Sequence, residues 1–566
     1  MGYHSFMPKK KRLRTVIYVV SGIVLLVLLG ASLLGLYLDK RIVTLLKEKV
    51  SEGSHGEYSL SVDDLSIHLL AHSITVKNLI VAPTNKRNLS DKATYVFQAA
   101  LLRVSGFSVM AFLRGKDLQL GSIECEEPQI SIFQGKNRFP KAKKAPDQPP
   151  FSLYKLMSPQ LNSLAIDRID ILSSKFNIYR DGSDTVSLMS AKESSISIRK
   201  FSVNRSTDDA ERLFNAEKFE VVINKFAYHL KDGLYTLFGK SLYASYTDSL
   251  ITVDSFQLIP NYPKKDFGKM AGRQVTRVEI VAPKISFKSI DVKSFLEQNW
   301  LVAGRLDVEG GNVGAYRDNN VPLKAIVRPS LQAMIRDVPF FISIDTVTLT
   351  DVDIASENVP EGGSQAGIMT LERVHGTVTG LQNDSSTFTD KSSIRATLDA
   401  VFMKQGNFHA EYTFPLDTRT ELCYCSGSLS PIDIKILNPL LSKAKGFTVK
   451  TGRLDSLRFS FTAKGNHSNG KMTLAYHDLT ADVEAEKDEK KFVTNFKNFV
   501  ANQLVLRRSN PGKDGVLRVV EISADRNPYR YFPYFFMQSL LSGITASIEG
   551  EQKSKFLKRT RLLEKK

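Results

Sequence analysis

The sequence predicts a mainly β protein hung from a single membrane helix. Three observations carry that expectation. An unbroken apolar run lies near the N-terminus, and most of the following chain alternates apolar and polar residues. Only three cysteines, Cys125, Cys423 and Cys425, occur in 566 residues, too few to staple a body this size, so packing must hold it together.

The apolar run is VIYVVSGIVLLVLLGASLLGLYL, Val16 to Leu38. A membrane-spanning helix needs about 20 apolar residues, so this stretch is long enough to cross once. Lys9, Lys10, Lys11, Arg12 and Arg14 precede it with no acidic counterweight, which orients the N-terminus toward the cytoplasm. The rival is a cleaved signal peptide, whose apolar core runs about 7–15 residues and ends at small residues. Gly30-Ala31-Ser32 is the one small-residue stretch near the end, and apolar residues follow it. We read a retained single-pass anchor.

Charge narrows the partners. The formal net charge is +18, but residues 1–14 contribute +5, residues 136–144 another +5, and residues 553–566 a further +6. The remaining body is nearly neutral. Basic groups confined to a juxtamembrane end, a loop and a tail suit anionic lipid surfaces better than a nucleic-acid face.

Beyond the anchor, Lys40 to Val50 has helical spacing, and then period two takes over. Leu65, Ile67, Leu69, Ile74 and Val76 fall on alternate positions, which means strands with one face buried. A weak repeat follows, read as a short strand, a break and a second short strand. It recurs in LQLGSIECEEPQISIF (118–133), LAIDRIDILSSKFNIY (164–179), RVEIVAPKISF (277–287), RLDVEGGNVGAY (305–316) and ISIDTVTLTDVDIA (342–355). Each unit has an apolar face it cannot bury alone. Short helical patterns punctuate the strands at 107–113, 153–161, 290–299, 432–443 and 491–504. The stretch 136–150 is a Lys/Pro-rich loop or linker.

The organisation is thus a basic segment 1–14, an anchor 15–38, an N-terminal β module 39–135, the linker 136–150, a central β region 151–389, a C-terminal region 390–526, and a helix with a basic tail over 527–566. In that last segment Phe535, Phe536, Leu540 and Leu541 share spacings compatible with one helical face, and Lys558, Arg559 and Arg561 belong to the tail. Membrane contact and a simple plug for the sheet are both open readings of this end.

No catalytic constellation emerges. His68 and His72 have the i, i+4 spacing of a zinc pair but fall in a strand pattern without the intervening glutamate. EGGSQAG (361–367) lacks the final glycine of a nucleophile elbow, and Gly310-Gly311 and Gly362-Gly363 read as turns. Asp351 and Asp353 share one face of an alternating strand as solvated carboxylates. Cys423 and Cys425 alone make a poor metal site. The reading is a non-enzyme with no cofactor and no metal.

A family resemblance adds to this. The membrane helix opening directly into strands, FLRGKDLQLGSIECEEPQISIF (112–133), VEIVAPKISF with RLDVEGGNVGAY, and above all residues 427–483, with a strand, a short helix ending in the turn Asn438-Pro439-Leu440-Leu441 and then three strands with glycine-marked turns, resemble the AsmA family of envelope proteins, which includes TamB. The resemblance implies a long twisted, antiparallel-rich sheet curled into an open half-pipe with short helices. It also implies an inner-membrane-anchored periplasmic protein of Gram-negative bacteria that carries phospholipid toward the outer membrane. The alternative is a non-transporting scaffold or assembly factor for outer-membrane proteins. Exposing the acyl chains of one phospholipid to water costs on the order of 20 kcal/mol, which an apolar trough offsets. The expected groove wall is Leu65, Ile67, Leu69, Ile74, Val76, Ile123, Ile130 and Ile132. The expected membrane contacts are the N-terminal basic cluster, Phe535, Phe536, Leu540, Leu541, Lys558, Arg559 and Arg561. An outer membrane or an envelope partner protein is expected at the far end.

Overall fold

A computed structural model describes residues 39–68, 71–84, 94–107, 117–134, 154, 161–179, 187–206, 215–416, 421–445, 447–483 and 507–549. The basic cluster at Lys9–Arg14, the apolar run 16–38, Leu69, the linker 136–150 and Lys558, Arg559 and Arg561 lie outside these. Among the described residues no helix is long and apolar enough to cross a membrane.

Strands dominate, in two compact units divided between Ser255 and Phe256. The N-terminal unit opens with helix α1 (Asp39–Gly53) and continues with β1 (Tyr58–Ser61), β2 (Asp64–His68), β3 (Ser73–Pro83), β4 (Thr94–Ser105), β5 (Asp117–Glu126), β6 (Gln129–Phe133), β7 (Ser163–Tyr179), β8 (Ser187–Val203), β9 (Lys218–His229) and β10 (Tyr235–Ser245). Both β1 and β2 pair with β3, and β5 and β6 together form one interrupted strand between β4 and β7. Pairing is antiparallel throughout, except that β5 and β6 run parallel to β7. Strand β11 (Leu250–Pro260) carries the chain across the boundary.

The C-terminal unit contains α2 (Lys264–Met270), β12 (Thr276–Ile290), α3 (Val292–Gln298), β13 (Leu301–Asp318), α4 (Leu331–Arg336), β14 (Ile342–Val359), β15 (Gly367–Gln382), β16 (Ser393–Phe402), β17 (Gly406–Pro415), β18 (Leu422–Leu429), β19 (Ile432–Asp433), α5 (Asn438–Lys445), β20 (Phe447–Lys464), β21 (His467–Val483), β22 (Val519–Asp525) and α6 (Phe532–Ile548). Its sheet runs β12-β13-β14-β15-β16-β17, then β18 with β19, then β20-β21-β22. The only parallel pair among these is β13–β14.

The repeat read from the sequence has a different physical meaning. LAIDRIDILSSKFNIY is one continuous strand, β7, and the same is true of β12, β13 and β14. Each internal break is a kink, with a left-handed residue at Ser173 of β7 (φ 55°) and Asp351 of β14 (58°), and likewise at Glu193 of β8 (53°), Lys225 of β9 (48°) and Arg373 of β15 (49°). An extra residue at a bulge advances the alternation by one, so the following side chains would otherwise change faces. The sequence compensates. On β7 the apolar set passes from Leu164 and Ile166 to Ile169 and Ile171, then to Phe176 and Ile178, shifting parity at each kink. Gly310 and Gly311, expected as a turn, lie inside β13 with φ 70° and 120°.

The kinks align across strands. Pairing sets Asn78 of β3 (φ 49°) opposite Ala100, Ala100 opposite the Glu127-Pro128 break, and that break beside Ser173. In the C-terminal unit the Ala282-Pro283 pair, Gly310-Gly311, Asp351 and Arg373 form the corresponding row. A second row lies six residues away along these strands, through Gly121 and Asp167 in one unit and Gly304 and Asp345 in the other.

The two units therefore share one strand frame. LQLGSIECEEPQISIF pairs parallel with LAIDRIDILSSKFNIY, and LVAGRLDVEGGNVGAY (301–316) pairs parallel with ISIDTVTLTDVDIASE (342–357). Gly121 matches Gly304, Asp167 matches Asp345, and Ser173 matches Asp351. Each parallel pair is flanked by antiparallel strands on both sides, β4 and β8 in one unit, β12 and β15 in the other.

Candidate functional site

On the apolar face of the N-terminal unit, Leu46 and Val50 of α1 pack into one cluster with Leu65, Ile74, Val76, Leu102, Val104 and Ile123. Ile74 is 1% exposed and Val76 2%. Fully burying one such side chain contributes about 1.5–3 kcal/mol. The expected groove residues Leu65, Ile74, Val76 and Ile123 are therefore sealed core, in a cluster that Leu46 and Val50 of α1, Phe107 and Leu161 complete; α1 itself touches β1 and β2. Ile67 packs at the margin of that cluster, and Ile130 and Ile132 are half-buried.

Farther along the same unit the cover ends. Ile196 and Ile198 of β8, Phe219, Val221 and Ile223 of β9 and Leu242 of β10 share the apolar face by register, and all are half-buried. No described helix makes more than marginal contact with these three strands. The opposite face is ionic. Arg199 lies 2.8 Å and Arg168 3.3 Å from the Asp170 carboxylate, and Lys218 lies 3.0 Å from Glu220. The Tyr243 hydroxyl donates to Glu220 at 2.8 Å, and with Lys218 it holds that carboxyl below its usual range.

In the C-terminal unit a comparable row of half-buried apolar residues lies on β12 and β13, where α2 touches both strands and α3 touches β13. Val278, Ile280, Ile285 and Phe287 sit opposite Ala315, Val313, Val308 and Leu306, and all but Ala315 are large and half-buried. Behind them, on the polar face, Asp307 accepts from Lys288 at 2.8 Å and from Arg305. Burial opposes ionisation of Asp307, but those two hydrogen bonds prevail and hold its carboxyl below the usual range.

The later strands are closed. Helix α5 touches β14, β15 and β20, and three strand positions separate β15 from β20, so the sheet between them curls around the helix. Helix α6 lies on β21 and β22, where Gly543 packs so closely that an added Cβ would sit 2.9 Å from the Met472 sulfur. Phe535 is 1% exposed, Phe536 packs on Tyr412 and Phe461, and Leu540 joins the cluster around Met472. These side chains, expected at a membrane, face the sheet; Leu541 is half-buried. Amphipathic spacing identifies the buried stripe of a helix, and a sheet satisfies it as well as lipid does.

Cys125, Cys423 and Cys425 are free and buried, and burial pushes all three thiols up, to about 12 for Cys125 and Cys425. Thiols so protonated are poor nucleophiles and poor ligands. Among the described residues no group of three or more His, Cys, Asp or Glu is placed to hold a metal ion. His72 instead stands edge-on to Phe107, with centroids 5.9 Å apart.

The β8–β10 residues were missed in the sequence because each kink breaks simple alternation. Treating a left-handed residue as a one-residue advance recovers them, as FEVVINKFAY shows with Phe219, Val221 and Ile223 before Lys225 and Phe226 and Tyr228 after it. No protein-family model matches the chain, and no curated protein matches it.

Proposed function

We propose that this chain is a membrane-anchored, AsmA-like lipid carrier whose uncovered apolar strands receive the acyl chains of phospholipid. The single supporting observation is the half-exposed apolar face of β8–β10 and of β12–β13, backed by an ionic face. An apolar patch of this kind is a liability in water unless a ligand covers it. Phospholipid matches it chemically, with chains against the strands and head group in solvent. On this reading the body is periplasmic, the apolar run 16–38 sits in the inner membrane with its N-terminus cytoplasmic, and the protein is not an enzyme.

One observation favours the scaffold alternative. Among the described residues β22 pairs only with β21, and Val516, Leu517 and Val519 at its start are 60%, 40% and 60% exposed. An open apolar strand edge accepts a partner's strand. Native mass spectrometry of the detergent-extracted full chain, combined with photo-crosslinking from Ile223 and Ile280, tests the choice. Bound phospholipid crosslinked at both positions supports carriage; lipid-free protein with crosslinks only to polypeptide supports the scaffold.

A further inference from the structure

We propose that Arg317, Arg328 and Arg530 form a binding site for a phosphate-ester group in the C-terminal unit. The three come from distant parts of the sequence: the end of β13, the segment before α4, and the turn leading into α6. Backbone and side-chain contacts gather them. The Arg328 N–H donates to the Pro528 carbonyl at 2.7 Å. Arg317 Nε and Arg530 Nη1 both donate to Asn319 Oδ1, at 3.3 and 2.9 Å, and Arg317 Nη2 donates to Gln274 Oε1 at 2.7 Å. Arg328 stacks 4.7 Å above the Tyr531 ring, and Arg530 stacks 5.0 Å above Tyr534.

The charge at this place is uncompensated. A fourth arginine, Arg526, is 9% exposed, donates to the Arg328 carbonyl and pairs with Glu421 at 3.3 Å. Among the described residues none of Arg317, Arg328 and Arg530 has an acidic partner. The Nε atoms of Arg328, Arg526 and Arg530 are buried without a hydrogen-bond partner. Burying unpaired donors on charged groups is costly, and a bound anion removes that cost. Consistent with mutual repulsion, Arg317 is pulled down to about 10, first by burial and then by the charges of Arg530 and Arg328.

Helix α6 adds to the attraction. It starts beside Tyr531 without a side-chain cap, so its positive dipole end lies at the same turn, although Pro533 carries no N–H and the Tyr534 N–H already donates to the Tyr531 carbonyl. Planar guanidinium forks with a helix terminus suit the several oxygens of a phosphate better than a single carboxylate. Val327 (69% exposed), Tyr529 (37%) and Tyr534 (39%) supply apolar surface next to the arginines in sequence. The phosphate can belong to a lipid head group or to a soluble ester. This proposal stands apart from acyl-chain binding on β8–β10 and β12–β13, and either can fail alone.

The test uses the full chain in neutral detergent, titrated by calorimetry with glycerol 3-phosphate, with dioctanoyl phosphatidic acid, and with dioctanoylglycerol as the phosphate-free control. Saturable binding of both phosphate ligands, but not of the control, supports a general phosphate-ester site. Saturation by the phosphatidic acid alone supports a lipid head-group site. The R328Q/R530Q variant is expected to lose roughly tenfold or more in affinity. Its thermal midpoint without ligand should be unchanged or higher, since removing unpaired charge relieves repulsion. If that variant does not fold, R530K serves, keeping the charge but losing the fork. Absence of phosphate-dependent binding in the unmodified chain, or unchanged affinity in folded variants, overturns the proposal.

Discussion

In the N-terminal unit the parallel pair is kinked at Gly121/Asp167 and again at Glu127/Ser173. In the C-terminal unit it is kinked at Gly304/Asp345 and again at Gly310/Asp351. The frame is the same, yet the covers differ. Helix α1 closes the first strands of one unit, whereas α4, α5 and α6 close the later strands of the other. Where a helix lies on the apolar face, side chains such as Ile74, Val374 and Phe461 fall to 3% exposure or less. On β8–β10, which no described helix covers, Ile196, Ile198, Phe219, Val221, Ile223 and Leu242 stay half-buried, although Leu188 and Tyr228 of the same strands are buried. The alternating pattern thus specifies which face is apolar, and the helices decide where that face becomes core. Ligand capacity belongs to the uncovered strands.

The sharpest contrast between the units is at the second kink. Gly311 has φ 120°, and a Cβ there would lie 2.2 Å from the Val281 carbonyl oxygen. Left-handed strain and overpacking together put the cost of Gly311→Ala at about 3 kcal/mol. In the N-terminal unit Pro128 stands at the place of Gly311, and the left-handed residue is Glu127, at the place of Gly310, with φ 49°. Glu127→Gly relieves that conformation and should be neutral or stabilising by about 0.5 kcal/mol. Hydrogen exchange of β12–β14 and β5–β7 peptides checks both. Equal tolerance at the two positions would break the equivalence of the modules.

Covered and uncovered residues should separate next. Ile74→Ala opens a cavity in the N-terminal core and should cost about 3 kcal/mol, while Ile223→Ala on β9 should cost about 1 kcal/mol or less. Replacement by aspartate inverts the informative readout. Ile74→Asp should prevent folding, and Ile223→Asp should leave a folded chain with less co-purifying lipid. Expression, chemical denaturation and lipid quantitation read these effects. A folded Ile223→Asp chain with undiminished lipid would remove β9 from the proposed acyl-chain site.

Much of the frame was legible in the sequence. Alternation marks the strands, α1 and α3 fall where the helical spacing predicts, and Pro533 opens α6. What stayed hidden is long-range. No local signal states that Ser173 stands beside Glu127, or that Ile74 shares a sealed core with Leu46, Val50, Phe107 and Leu161. Helices α2 and α4 were too short, at seven and six residues, to show a period. The arginine cluster joins positions up to 213 residues apart (530 minus 317), so only the fold brings it together.

The shared frame also offers a matched pair of acids. Asp307 of β13 occupies the position of Glu124 of β5, but its side chain is 7% exposed against 27% for Glu124. Asp307→Asn should cost about 2 kcal/mol, since it weakens hydrogen bonds to two cations, and Glu124→Gln about 0.5 kcal/mol. The depressed folded pKa of Asp307 gives its contribution a direction. Its stabilisation is present above the unfolded value, about 3.9, and is lost as pH falls through the lower folded value. Acid denaturation of the C-terminal unit should therefore shift to higher pH in Asp307→Asn only if other carboxylates dominate the transition. Otherwise its slope below about pH 4 flattens.

The smallest expected effect has the opposite pH sign. His409 of β17 stands directly across from Asp399 of β16, with Nδ1 and Oδ1 2.8 Å apart, and its Nε2 lies 3.5 Å from Glu411. On the other side, β18 presents the uncharged Ser428 at the facing position. The hydrogen bond to Asp399, aided by Glu411, raises the His409 pKa above its ordinary value despite partial burial. A group whose folded pKa is raised stabilises fully below its unfolded pKa, about 6.5, and loses that stabilisation as pH climbs through the folded value. The His409 side chain is 41% exposed, so solvent screening limits the contribution to no more than about 0.5 kcal/mol. The β16–β17 pair should exchange amide hydrogens with slightly more protection at pH 5.5 than at pH 8, after correction for intrinsic rates. His409→Gln should abolish that difference while leaving β9–β10 of the N-terminal unit unaffected. A pH dependence that survives His409→Gln would assign it to another group.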